Sequence, residues 1–592
     1  MNFKTWLRAF LFWRIKHIGD KNFVYILSLL IGIAAGLAAV LLRSSVHYIE
    51  SFLTYGFDYQ LKTYLYLAYP LIGMLLTVIF IKYFNRNKLG HGITNVLYCI
   101  SQKSSFMEKD KMYSHMVSSA LTVGFGGSAG LEAPIITTGS AIGSNLGSMF
   151  HLNYKQRTLL IGCGAAGATA GIFNSPIAGV VFVLEILLLD LSVSSFIPLL
   201  ISSVAGAVMA KFLLGEQILF AFVVKDVFTI SQIPLYIVLG ILAGVFSIYF
   251  TRLTISTETF LLRYKSRFSK ATYGGLLLGA LIFVLPPLYG EGYVVLKDLL
   301  TGNEQNLLSK SLFAGWADNA WLLLVFLVAA MVMKVVATSL TLGGGGSGGI
   351  FAPSIFVGGF MGFCLARLIN LSFVPFSISE TNFALVGMAG IISGVMHAPL
   401  TAIFLIFEIT SSYELILPLM IVAAIAYATI SYFEPYSIYA SQLARKGHLI
   451  SHDKDKEVLT RMKLERVIET DLVTILPDAS LQELINKILS TKRNIFPVID
   501  DEGHLKGIIT LDDIREIMFR HEMYENVKVN QLMRPAPAIV SRGESMADVM
   551  KKFDETGAWN LPVIDDGKYL GFLSKSKIFS IYRRLLIDQS KE

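Results

Sequence analysis

Glu132 stands in the run GGSAGLEAPIITTG, the only carboxylate between Asp110 and Glu185. An ionisable side chain among glycines and apolar residues marks a functional site by default when the segment lies in a membrane. The glycines before it and the Ala-Pro pair after it describe a helix start, where proline is accommodated in the first turn. Such a start leaves backbone N–H groups pointing at one spot with the positive end of the helix dipole behind them. That is an anion site, and a carboxylate placed there competes with the anion. The structural alternative is a glutamate that merely caps the helix. A reading from another class is an intramembrane serine protease, since Gly-Gly-Ser-Ala-Gly at 126–130 and Gly-Gly-Ser-Gly at 345–348 formally match short nucleophile patterns. That chemistry requires a histidine base within hydrogen-bond reach. His397 is the only histidine in the late apolar segments, and the serines read better as polar donors near helix starts.

The elements that must position Glu132 are apolar and long. Hydrophobic residues make up 54% of the chain and charged residues 16%, outside the range of an ordinary soluble domain. Runs such as Phe23–Leu42, Thr63–Tyr83, Ile233–Phe250, Trp321–Val336 and Leu415–Ile430 approach or reach the roughly 30 Å of a hydrocarbon core. The expectation is a multi-pass membrane domain over 23–445, preceded by a cytosolic segment, 1–22. Lys4, Arg8, Arg14, Lys16 and Lys21 precede the first span and put the N-terminus, and with it the C-terminus, in the cytoplasm. The net charge of +7 is thereby accounted for without a nucleic-acid partner. Cys99, Cys163 and Cys364 lie in apolar, small-residue surroundings and suggest neither disulfides nor a metal.

The membrane region is internally duplicated. GSAGLEAPIITTGSAIG (127–143) matches GSGGIFAPSIFVGGFMG (346–362) at eight of seventeen positions, Ala-Pro included. AGIFNSPIAGVVFVLEI (170–186) then matches SGVMHAPLTAIFLIFEI (393–409). Two matches in one order imply two related halves, roughly 60–210 and 270–433. Paired Gly- and Pro-interrupted segments in matching positions point to a transporter's binding site, because irregular backbone is tolerated at membrane depth only where protein or a cavity satisfies it.

At these residues the chain resembles the CLC family of chloride channels and chloride/proton antiporters. The family's signatures GSGIP, GREGP and GIFAP stand here as GHGIT (Gly90–Thr94), GLEAP (Gly130–Pro134) and GIFAP (Gly349–Pro353), followed by SIYASQLAR with Tyr439. The resemblance implies an all-α domain of two inverted repeats, assembled as a homodimer with one pathway per subunit. It implies an anion held by the residue at His91, the Gly92 and Ile93 segment, the amides of Ile350 and Phe351, and the Tyr439 hydroxyl. Glu132 would then be both gate and proton carrier, since a protonated carboxyl loses its attraction for the site and swings aside.

Two departures leave alternatives open. His91 replaces a serine, which puts anion selectivity in question; nitrate or another halide would suit an imidazole N–H as well. The antiporters' internal proton-transfer glutamate aligns with Ile186, one residue after Glu185 and so about 100° round the helix. Either another group or water reaches Glu132 from inside, or the protein is a passive chloride channel. Glu185 and its repeat partner Glu408 are expected to share a structural role at helix ends.

Beyond a polar linker, 446–457, the texture is charged and alternating. FPVIDDEGHLKGIITLDDI (496–514) and LPVIDDGKYLGFLSKSKI (561–578) repeat one another as strand, turn, strand and helix. They resemble a tandem CBS pair, an α/β regulatory module, over 458–522 and 523–588. The resemblance implies an adenine-nucleotide site with Thr510 and Asp513 contacting ribose. The second half offers Ser574 with Lys577 where the acid should stand. A purely structural tail is the alternative.

Overall fold

The computed structural model describes residues 3–54, 59–84, 92–187, 193–215, 228–264, 266–309, 311–316, 319–372, 377–444, 462 and 464–591. The chain divides into two compact units, 1–449 and 450–592.

The first unit is helical. Its first half comprises α1 (Phe3–His17), α2 (Asp20–Thr54), α3 (Tyr59–Tyr83), α4 (Gly92–Gln102), α5 (Ser114–Gly124), α6 (Glu132–Met149), α7 (Tyr154–Phe173), α8 (Pro176–Ile186) and α9 (Val193–Leu214). The second comprises α10 (Ile233–Leu261), α11 (Arg267–Val284), α12 (Tyr293–Leu300), α13 (Gln305–Ser309), α14 (Ala320–Gly343), α15 (Phe351–Leu371), α16 (Glu380–Met396), α17 (Pro399–Thr410), α18 (Ile416–Phe433) and α19 (Ile438–Ala444). Among the described residues, seven helical stretches are long and apolar enough to cross a membrane. Others are not: α8 has 11 residues, about 16 Å of rise, and must end at depth.

The duplication is written in the backbone. Leu131 and Ile350 precede α6 and α15 with φ, ψ of −90°, −9° and −93°, 0°. Asn174 and His397 end α7 and α16 in the left-handed region at 56°, 36° and 56°, 40°, a conformation in which Asn and His are both enriched. Proline then opens α8 and α17. Each half also reaches across to complete the other. The Ser347 N–H donates to Thr122 Oγ1 (2.9 Å) and the Ser128 N–H to Thr341 Oγ1 (3.1 Å). Such an exchange is what a two-fold relation produces.

The symmetry starts earlier in each half than the matched motifs. Gly32 and Gly36 of α2 lie against Ser202 and Gly206 of α9, as Gly240 and Gly244 of α10 lie against Ile425 and Thr429 of α18. These pairs keep only the small-residue contact that lets membrane helices approach, so no motif marks them. Within the core, Gly139 of α6 meets Gly164 of α7 and Gly358 of α15 meets Gly387 of α16 so closely that a Cβ would fall 1.9–2.4 Å from a backbone carbonyl.

The second unit is α/β. An antiparallel pair, β1 (Ile495–Ile499) and β2 (Leu505–Thr510), packs with α20 (Leu481–Leu489) and α21 (Leu511–Ile514). A three-stranded sheet, β3 (Val540–Ser541), β4 (Asn560–Asp565) and β5 (Lys568–Ser574), with β3 parallel to β4, packs with α22 (Met546–Thr556) and α23 (Lys575–Lys591). The unit's first residues serve the later half: Val467 joins the second core and Glu469 pairs with Phe572.

Candidate ion-binding site

The loops before α6 and α15 meet. Gly130 N–H donates to Gly349 O (2.8 Å) and Gly349 N–H to Gly130 O (2.7 Å). Neither helix start has a side-chain cap from Leu131 or Ile350, so first-turn amides of both remain for an external acceptor. Beside this joint lies a cavity of about 50 Å³ walled by Gly92, Ile93 and Thr94 at the start of α4, Ala133, Gly349 and Ile350, and Ile438 and Tyr439 on α19. Tyr439 is buried and its hydroxyl has no hydrogen-bond partner among the described residues, so it is a donor in waiting. Gly92, Ile93, Ile350 and Tyr439 are thus brought together as expected. Phe351 is buried next to them, its ring tilted against Phe173 at 5.1 Å, and is not part of the wall. His91 lies outside the described residues.

Glu132 sits on the other face of the same joint. Only 1% of it is exposed. Its Oε1 accepts from the Tyr293 hydroxyl at 2.5 Å. Its Oε2 lies where a Cβ on Gly130 would be, 2.0 Å away. Among the described residues Oε2 makes no hydrogen bond of ordinary geometry. The carboxylate lies at the start of α6, beside the joint with the loop before α15, where first-turn amides would draw a small anion.

Tyr293 was not foreseen, nor were its neighbours. Glu291 accepts from the N–H of Leu131 at 3.2 Å. Lys334, fully buried in α14, donates to Gly290 O (2.9 Å) and Leu288 O (3.3 Å) and lies over Phe356 at 5.0 Å. A lysine inside the apolar run 321–336 was a legible signal by the rule that applies to Glu132. On the opposite side, Glu258 and Gln442 complete the cavity wall. Gln442 Nε2 donates to both Glu258 oxygens (3.2 and 3.3 Å), and Thr94 Oγ1 donates to Gln442 Oε1 (2.9 Å).

Glu185 and Glu408 exchange caps. The Glu185 carboxylate accepts from the N–H groups of Leu400 and Thr401 (2.8 and 2.7 Å) and the Thr401 hydroxyl (2.6 Å) at the start of α17. Glu408 accepts from Ile177 and Ala178 (2.9 and 2.8 Å) at the start of α8. Both oxygens of each are occupied by donors a helix start needs, and the neighbouring Ile186 is buried and apolar.

In the second unit, Thr510 and Asp513 form a capping box: the Thr510 N–H and hydroxyl both donate to Asp513 Oδ2 at 2.8 Å. The other Asp513 oxygen lies against the Arg534 guanidinium. Ser574 donates to Glu469 and accepts from the Lys577 N–H at 3.2 Å.

Comparison with known proteins places this geometry. The family described as voltage gated chloride channel matches residues 72–431, and the CBS domain matches 464–520 and 529–584. The chain is 27% identical over 553 residues to chloride channel protein CLC-f of Arabidopsis thaliana, covering 83% of this chain and 68% of that protein. It is 28% identical over 439 residues to the H(+)/Cl(-) exchange transporter ClcA of Vibrio cholerae serotype O1, covering 71% and 89%. Among solved structures it is similar to a eukaryotic CLC transporter, with a TM-score of 0.62 at 19% identity over 94% of this chain and 97% of that one, a likeness of fold.

Proposed function

Because the chain belongs to the voltage gated chloride channel family, we propose that it moves chloride across a membrane in exchange for protons, with Glu132 as gate and proton carrier. The observation that carries this reading is the placement of one buried carboxylate at the joint of the two repeat loops, with Oε2 against Gly130 and Oε1 held by Tyr293, beside a cavity walled by Gly92, Ile93, Ile350 and Tyr439. Ionised, it fills the anion's place. Protonated, it loses its attraction to the amides and yields the site. Relatives of both kinds exist, a named chloride channel and a named H(+)/Cl(-) exchanger.

The second reading, a passive chloride channel, has its own observation: Ile186 stands at the internal relay position, and Glu185 beside it is committed to α17. Protein in liposomes with opposed chloride and proton gradients separates the two. An antiporter drives protons uphill and its reversal potential follows pH; a channel does neither. Glu132→Gln is expected to abolish proton movement while chloride still flows. Unchanged coupling in that variant removes Glu132 from the role.

The assembly is a homodimer with both termini cytoplasmic in this proposal. Glu185 and Glu408 are only half-buried in the single chain, flanked by exposed Ile177 and Leu400. Carboxylates facing lipid are costly, which favours a second copy over that face. The tail takes an adenine nucleotide at Thr510 and Asp513, with Lys577 where the second half would need the matching acid.

A further inference from the structure

Resting on the antiport reading, we propose that Glu258 is the carboxylate that passes protons between the cytosol and Glu132, the task that Ile186 cannot perform. The cavity beside the joint has Ala133, the neighbour of Glu132, in one wall and Glu258 in another. Its volume of about 50 Å³ exceeds the roughly 10–15 Å³ that one water needs, so a short water path between the two carboxylates has room. Glu258 sits in the last turn of α10, and the chain continues into Arg263, Lys265 and Arg267. The bias of basic residues toward the cytosol puts this end of the helix there.

The surroundings of Glu258 fit proton transfer better than anchoring. A carboxylate in the wall of an anion site repels the anion unless it is neutralised. Among the described residues its partner is the amide of Gln442, not a cation, and Gln442 is itself oriented by Thr94. The other faces present little charge. α14 brings Gly343, α4 brings Thr94, and α19 brings Gln442 and Tyr439. On its own helix, Arg252 is engaged by Glu434 at 2.7 Å. A proton carried there would also lift the repulsion. A cytosolic proton binds Glu258 and removes its repulsion. It then moves through water to the Glu132 carboxylate, leaving Glu258 ionised again. Anion entry and proton entry are thereby linked at one mouth.

The test uses the full chain in liposomes, with proton and chloride movement recorded together for wild type, Glu132→Gln, Glu258→Gln and Glu258→Ser. Either neutral Glu258 variant should lower the ratio of proton to chloride flux about a hundredfold, the lower end of what a positioned proton-transferring side chain contributes. Wild-type coupling in either neutral variant, with coupling lost in Glu132→Gln, overturns the role of Glu258 and leaves antiport standing. A wild type that moves chloride without protons overturns both.

Discussion

At the scale of residues, the carboxylate of Glu132 is held by a balance of one hydroxyl, nearby amides and burial. The Tyr293 hydroxyl donates to the ionised form, and a hydrogen bond to a charged group contributes about 1.5–3 kcal/mol. Tyr293→Phe removes that donor and leaves the ring. Glu132 should then leave the site more readily, and chloride efflux at a fixed pH should rise about tenfold, since about 1.36 kcal/mol is a factor of ten; unchanged efflux dismisses the contact. Tyr439 differs in kind, because its hydroxyl makes no hydrogen bond among the described residues. Tyr439→Phe should weaken chloride binding about tenfold by calorimetry, the loss of one hydrogen bond to an anion. Equal affinity would place the hydroxyl elsewhere.

At the scale of elements, the fold is a device for ending helices inside a bilayer without stranding their polar groups. Asn174 and His397 turn the chain, proline restarts it, and Glu185 and Glu408 then cap the restarts crosswise. Glu408→Ala leaves the Ile177 and Ala178 N–H groups unmet, at a cost of about 1–3 kcal/mol. Melting temperature in detergent should fall while the proton-to-chloride ratio stays that of wild type. A changed ratio with unchanged stability would mean the cap takes part in transport. A shared role at helix ends was readable in the sequence, since both glutamates end matched segments; that each caps the other half was not. Tyr293, Glu291 and Glu258 were not, because none belongs to a repeated motif. Their approach to residues 131, 132 and 442 depends on helix packing that small residues permit but do not spell out. The amide joint of Gly130 and Gly349, by contrast, followed from motif alone.

At the scale of the whole molecule, one chain joins an ion pathway to an α/β tail, and the two halves of the tail are unequal. In the first, Thr510 and Asp513 are already locked together at the start of α21, so a nucleotide taken there, as proposed, would spend little on ordering them. Its competitor is Arg534, which holds the second Asp513 oxygen. In the second, Lys577 takes the acid's place, and Ser574 turns to Glu469 from another segment. A nucleotide should therefore bind once per chain rather than twice. With ATP, ADP and AMP titrated against the full-length protein, Asp513→Ala should weaken binding at least about tenfold, as expected for losing a hydrogen bond to a charged acceptor. Ser574→Ala should bind as wild type does. If the tail regulates transport, the nucleotide that binds must also change chloride efflux in wild type and leave Asp513→Ala unaffected. Binding without any change in efflux would make the tail a passive holder of nucleotide, and no binding of the three would make it a structural part of the assembly.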